Sequence, residues 1–275
     1  MPENGKSKES ERHLESLMKG LQVLDCLQGQ PALTITEIAN ELGLYKSRVM
    51  RMCGTLEHMG YVVYDAKERV YRLGPRIPAL ARSYEATNPL LNVVKPFLES
   101  IFGRLRQSVA FHRAHGSTLM CIYRLSPSSS NHDQTPMWQD RSFHCGARGR
   151  VMLAFGDRAL REEYFSRTEA YPRLTPHTIT DPAELERAVE LVKGQGYAIT
   201  SQERIMGGFG IAAPVLQYAD NLIGVISISG NVQDFDEEFV NKAVPILQEE
   251  TQKLSLRLGA ECYFLQKIEQ EGVTR

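Results

Sequence analysis

The stretch LTITEIANELGLYKSRVMRMCGTLEHMGYV, from Leu33 to Val62, constrains the fold of this chain more tightly than any other part of it. Two short runs of helical apolar spacing meet at Gly43, a residue that takes the left-handed backbone at no steric cost and so ends a helix abruptly. Before the turn, Ile35, Ile38, Ala39 and Leu42 form one face, with Thr36 as the expected N-cap. After it, the spacing predicts a helix from about Tyr45 to Met59 that turns Val49, Met52, Cys53 and Leu56 inward and stops at Gly60. Upstream, Leu14, Leu17, Met18, Leu21 and Leu24 repeat at helical spacing. Downstream, two β-rich runs, Tyr61–Tyr64 and Val70–Leu73, flank a polar loop and read as a hairpin. Three helices, a glycine turn and a hairpin make a winged helix-turn-helix over residues 14–74.

Charge explains what such a unit would touch. The chain is nearly neutral, with a formal net charge of −1. Between Lys46 and Arg76, however, seven cations stand against three acids, which leaves that segment about +4 and the rest about −5. With Val49 inward, the third helix turns Ser47, Met50, Arg51 and Gly54 outward and carries Lys46 and Arg48 on its flanks. Lys67 and Arg69 sit at the hairpin tip. Cations beside a short outward face suit phosphates and base edges of double-stranded DNA. A cationic face on a lone helix is usually just solvated; here the turn, the preceding helix and the basic wing coincide, and the expectation is operator binding.

The remainder reads as a connecting helix and linker (75–90), with Ile77, Leu80, Ala81 and Tyr84 on one stripe, then an α+β domain over 91–260. Its elements are a helix carrying Leu91, Val94, Phe97, Leu98, Ile101 and Leu105, strands at Ser108–Arg113 and Thr118–Leu125, and helices near Ala147–Phe155 and Arg158–Phe165. A helix capped by Asp181, two antiparallel strands (IAAPVLQY and LIGVISISG) and a closing helix from Asp236 follow. Ser126–Pro136 is a long polar loop. Residues 1–13 and 261–275 read as tails, the first of them disordered. Apolar content of 42% and charged content of 24% are those of a soluble globular protein. No apolar run is long enough for a membrane span, and the polar start is not a secretory signal. Five scattered cysteines without a C-x-x-C pair argue for reduced thiols, a cytoplasmic setting and no structural zinc. No cofactor is expected.

These segments resemble the isocitrate-lyase-regulator (IclR) family of bacterial transcription factors over most of the chain, from about Leu17 to Leu258. The helix-turn-helix stretch and YRLG are similar to the family's DNA-binding unit. SVAFHRAHGSTLMCIYRL, FHCGARGRVMLAF and the strand pair IAAPV…LIGVISISG are similar to its second domain, which is GAF-like. The resemblance implies a ligand-responsive regulator, of a catabolic operon, acting as a homodimer or dimer of dimers. It assigns Lys46, Ser47, Arg48 and Arg51 to DNA, and Ala147, Arg148, Gly149, Ser227 and Ser229 to a small-molecule effector. Departures from the family's pattern fall at Tyr45, Arg148 and Gly210.

The residues support that pocket on their own terms. Ser227 and Ser229 alternate along one strand, so both hydroxyls face one side. Arg148 stands beside Gly149 at a helix start, where a guanidinium can grip a carboxylate bidentately and backbone N–H groups would help; the alternatives are an exposed arginine or a salt bridge to Glu203. The expected effector is therefore an organic acid, aromatic or hydroxylated, with Trp138, Phe143, Phe209 and Tyr123 as candidate flat walls. His112 and His115 lack the geometry of a metal pair. His144 beside Cys145 lacks the third group a nucleophile needs, GVISISG is not a nucleophile elbow, and GGFG precedes a strand, not a phosphate-binding helix. The alternative to a regulator is an enzyme or small-ligand carrier whose helix-turn-helix serves protein contact.

Overall fold

A computed structural model of the chain describes residues 13–115, 118–127, 143–166 and 171–261. The polar loop beyond Pro127, Trp138 and nearly all of both expected tails lie outside the described residues. The chain divides into two compact units, Met1–Asn88 and Pro89–Arg275.

In the first unit, α1 (Glu15–Cys26), α2 (Ile35–Leu42) and α3 (Lys46–His58) pack around Val23, Leu27, Ile38, Val49 and Cys53, all fully buried. The cap of α2 is Thr34, not Thr36. Thr34 Oγ1 accepts the Glu37 N–H at 3.3 Å while the Thr34 N–H donates to Glu37 Oε2 at 2.7 Å, a reciprocal capping box that leaves Thr36 inside the first turn. Gly43 ends the helix with φ 62°, in the left-handed region. The hairpin pairs β1 (Val62–Asp65) with β2 (Val70–Leu73) in register Val62↔Leu73, and Leu33 bridges to Tyr71 on its outer side. Of the apolar stripe of α1, Leu24 packs against this core and the other four do not. Leu14, Leu17, Met18 and Leu21 are 72, 57, 49 and 51% exposed; Val23 and Cys26 are the residues α1 buries. The connecting helix α4 (Arg76–Thr87) buries none of its residues.

The second unit is built on one antiparallel sheet of strand order β4-β3-β7-β6-β5. Its strands are β3 (Ser108–His115), β4 (Thr118–Leu125), β5 (Ala198–Ser201), β6 (Gly208–Gln217) and β7 (Asn221–Asn231). On one face lie α5 (Pro89–Leu105) and α9 (Glu237–Arg257), over Val109, Phe111, Ile211, Ile226 and Ile228. Each such side chain, fully buried, contributes roughly 1.5–3 kcal/mol. On the other face lies α6 (Ala147–Phe155), backed by α8 (Pro182–Gln195), over Ala198, Ala212 and Val225. A further helix, α7 (Arg158–Phe165), follows α6. Asp181, the expected cap, holds the start of α8 with its carboxylate, and Asp236 does the same for α9.

Candidate functional site

Two places carry the chemistry, one in each unit. On α3, Val49, Cys53 and Leu56 are buried, which leaves Lys46, Ser47, Met50, Arg51 and Gly54 exposed. Thr55 Oγ donates to the Arg51 carbonyl at 2.9 Å, inside the helix itself. At the wing tip, Asp65 Oδ1 accepts the N–H groups of Lys67 (3.0 Å) and Glu68 (3.2 Å), and Arg69 turns at φ 58°. That tight turn puts Lys67 and Arg69 in solvent.

The cations of this segment are not equivalent. Arg48 Nη2 pairs with Glu15 Oε1 at 3.0 Å, and Arg72 binds Glu68 and the Pro31 carbonyl. Among the described residues, Lys46, Arg51, Lys67 and Arg69 have no ion-pair partner. Positive charge exposed without a counter-charge is what a polyanion attracts.

In the second unit, a cavity of about 480 Å³ opens where α6 begins. Ala147 and Arg148 border it from the helix start, Thr200 and Glu203 from the end of β5, and Ser227 and Ser229 from β7. Of the expected effector residues, Gly149 alone does not line it. A Cβ on Gly149 would stand 2.2 Å from the Phe143 carbonyl oxygen, so this glycine serves close backbone packing.

Arg148 is half-buried and its Nη1 lies 3.2 Å from His112 Nε2, on a residue that is fully buried. A guanidinium can only donate, so Nε2 is the acceptor of this contact. Ser227 Oγ lies 3.0 Å from the same nitrogen. His112, one of the two histidines set aside as metal ligands, thus holds Arg148 against the cavity floor; the spacing of His112 and His115 carries no sign of this, because the link crosses from β3 to α6.

Beneath the helix start, Arg150 and Glu203 form a buried ion pair. Glu203 Oε2 also accepts the Gly146 N–H at 3.1 Å, and Thr200 Oγ1 accepts that of Ala147 at 3.0 Å. Burial pushes the Glu203 carboxyl above the usual carboxylate range, while Arg150 and the Gly146 N–H pull it back. Two of the amides expected to meet an anion are therefore occupied from within, and Glu203 is the partner of Arg150, not of Arg148. Thr175 and Thr178 donate to the carbonyls of Gln202 (2.7 Å) and Glu203 (2.6 Å), which fixes the loop after β5.

The expected flat walls among the described residues, Phe143, Tyr123 and Phe209, do not face the cavity floor. Phe143 is fully buried among the residues around α6, and Tyr123 packs with the α5 core under Lys95 Nζ, 4.6 Å from its ring centre. Phe209 touches the cavity, but its ring stacks on Phe235 at 4.7 Å on the opposite face of the sheet. His144 is bound to the Pro172 carbonyl at 2.9 Å, and burial holds its pKa below the ordinary value.

Comparison with known proteins agrees with this layout. The family described as bacterial transcriptional regulator IclR C-terminal matches residues 83–271, and the IclR helix-turn-helix domain matches residues 16–66. The Pca regulon regulatory protein of Pseudomonas putida is 27% identical over 243 residues, which cover 85% of this chain and 80% of that protein. An IclR transcriptional regulator from Alicyclobacillus acidocaldarius superposes with a TM-score of 0.79 at 25% identity, over 90% of this chain and all of that one. An IclR homologue of Microbacterium hydrocarbonoxydans, solved with 4-hydroxybenzoate, shares the fold with a TM-score of 0.72 at 24% identity, over 89% of this chain and 99% of that one. No helix among the described residues is long and apolar enough to cross a membrane. The chain belongs to the IclR family: it is a ligand-responsive, DNA-binding transcriptional regulator and not an enzyme.

Proposed function

We propose that paired N-terminal units, residues 14–74, seat α3 in successive major grooves of a double-stranded operator, and that a small organic acid in the cavity of residues 91–260 governs their grip from the cytoplasm. The observation that carries this reading is the separation of charges: uncovered Lys46, Arg51, Lys67 and Arg69 in one unit, and Arg148 on the lining of a cavity in the other. Ser47, Met50 and Arg51 are the base-reading positions, with Lys46, Arg48, Lys67 and Arg69 on phosphates. Arg148 takes the effector carboxylate, with Ser227 and Ser229 as polar anchors. That a fold of this kind holds 4-hydroxybenzoate in the Microbacterium homologue is compatible with an acid effector and a catabolic operon.

One short helix reads too few bases for a specific site, so the reading needs at least a homodimer, and a dimer of dimers extends it. The uncovered stripe of α4, with Leu80 and Tyr84 each 49% exposed, supports self-association there. Leu80→Asp is expected to lower affinity for an operator duplex at least about tenfold while the second unit stays folded, as an added charge is not buried with its mate. Sedimentation beside a mobility-shift titration checks it; normal operator binding by this variant removes α4 as the pairing surface.

Arg51→Ala is expected to cost about 1–3 kcal/mol on a selected operator and much less on random DNA if Arg51 reads a guanine. Equal loss on both sequences reassigns it to phosphate. The decisive experiment for the proposal as a whole is an operator titration with and without a panel of carboxylic acids, repeated with Arg148→Ala. The effector response is expected to be lost in the variant, which still binds operator; an undiminished response to the acid removes Arg148 from the site.

A further inference from the structure

The floor of the effector cavity is a row of hydroxyls that runs across the strands. Cross-strand pairing sets Thr200 of β5 opposite Gly210 of β6, Gly210 opposite Ser229 of β7, and Ser229 opposite Ser108 of β3. Residues directly opposed on antiparallel strands point to the same face, with strands about 4.8 Å apart. One step along β7, Ser227 adds a second hydroxyl row, opposite Ala110 and Ala212. All four hydroxyl residues border the cavity.

Three of these hydroxyls have partners within the protein, Ser227 Oγ among them at 3.0 Å from His112 Nε2. Thr200 Oγ1 accepts the Ala147 N–H at 3.0 Å, and Ser108 Oγ donates to Ser126 Oγ at 3.0 Å. A hydroxyl carries one donor and two acceptor positions, so Thr200 and Ser108 each keep capacity for a ligand. In the middle of the row Gly210 has no side chain. A Cβ there would meet Thr200 Oγ1 at 3.5 Å and Ala147 Cβ at 3.8 Å, ordinary contact, so the space above the row accepts a methyl group, and a larger side chain would intrude on it.

No aromatic ring among the described residues faces this row. Phe209 and Ile228 alternate with Gly210 and Ser229, and both side chains belong to the core under α5 and α9. The guanidinium-bearing residues Arg106, Arg148 and Arg204 border the same cavity. Three guanidinium-bearing residues and the carboxylate-bearing Glu203 and Asp234 thus surround a floor of hydroxyls.

Resting on the acid-sensing reading above, we infer that the effector is a polyhydroxylated carboxylic acid, of the aldonic or uronic type, and not a planar aromatic or plain aliphatic one. Its carboxylate meets Arg148, and its hydroxyls lie over the row from Thr200 to Ser108, each able to donate to one protein hydroxyl and accept from another. A benzene ring or a methylene chain laid over that row strips its water and returns no hydrogen bonds, and polar groups buried without partners weaken binding.

The test is a thermal-shift and calorimetric screen of the full chain with gluconate, galactonate and galacturonate, against hexanoate, benzoate and sorbitol. At a hundredfold excess over Kd, a polyhydroxy acid is expected to raise the melting temperature on the order of 5–10 °C. Ser229→Ala is expected to weaken that acid about 2–12-fold. Gly210→Val should weaken it more, because the larger side chain intrudes on the space above the row, and Gly210→Ala little. Should Gly210→Val fail to fold, Ser229→Ala and the ligand series still decide. Benzoate or hexanoate binding as tightly as the polyhydroxy acids overturns the inference and leaves acid sensing intact. Affinity unchanged in both Ser229→Ala and Gly210→Val likewise overturns it. Sorbitol binding as well as the acids, or no acid binding at all, removes the acid-sensing reading with it.

Discussion

Glu203→Ala is expected to destabilise the effector unit by about 3–5 kcal/mol, because it strands the Arg150 guanidinium in a site with almost no access to water. The two side chains are among the few charged ones buried in this unit, and each is at most 9% exposed as a residue. Their attraction offsets the desolvation of both charges only while both are present. The Gly146 N–H loses its acceptor in the same stroke, so the start of α6 loosens. Denaturant unfolding checks this, with the midpoint falling and the slope unchanged. The double variant Arg150→Met, Glu203→Met should recover much of the loss, since no buried charge remains. A double variant as unstable as the single one would mean that the pair contributes through shape rather than charge.

Gly149→Ala is expected to cost about 3 kcal/mol, the upper end of overpacking, and to abolish the effector response. The added Cβ would stand 2.2, 2.7 and 2.8 Å from the oxygen, carbonyl carbon and Cα of Phe143. Those are backbone atoms, and no rotamer change relieves the overlap. Either α6 or the segment before it must move, and Arg148 moves with α6. Gly194→Ala supplies the contrast: it also lies in a helix, with nothing within 4 Å of its Cβ position. There the change should stabilise by roughly 0.5–1 kcal/mol through helix propensity. Thermal melts of the two variants should therefore shift in opposite directions. Like shifts would show that the contact with Phe143 does not decide the matter.

What the sequence made legible depended on whether the deciding interaction is local. The capped helices after Asp181 and Asp236, the Gly43 turn and the outward face of α3 were all readable, because each is set by residues three or four apart. The α2 cap was misplaced by two residues although the signal, Thr34 followed by Glu37, was present; Thr36 is the same residue type and sits nearer the apolar run. β5 was missed because four residues directly after a helix carry little periodicity. The stripe of α1 was read correctly as apolar, but spacing cannot tell a face that enters the core from one left in solvent. Alternation and position pick out Ser227, Ser229 and Arg148, all three of which line the cavity. They do not pick out the His112 contact or the Arg150–Glu203 pair, since each joins residues more than thirty positions apart. Phe209 turns from the cavity floor for a reason the sequence does contain: it is next to Gly210, and neighbours on a strand face opposite ways.

The same alternation along β7 separates two kinds of change. Ile226 and Ile228 hold the sheet to α5 and α9, while Ser227 and Ser229 face the cavity. If the serines contact the effector as proposed, a mutation at either would alter what the protein recognises and spare the packed side; one at either isoleucine would do the reverse. Taste for a new ligand can thus be acquired one residue at a time on a scaffold that stays folded throughout, and the central strand of the sheet is where such drift is cheapest.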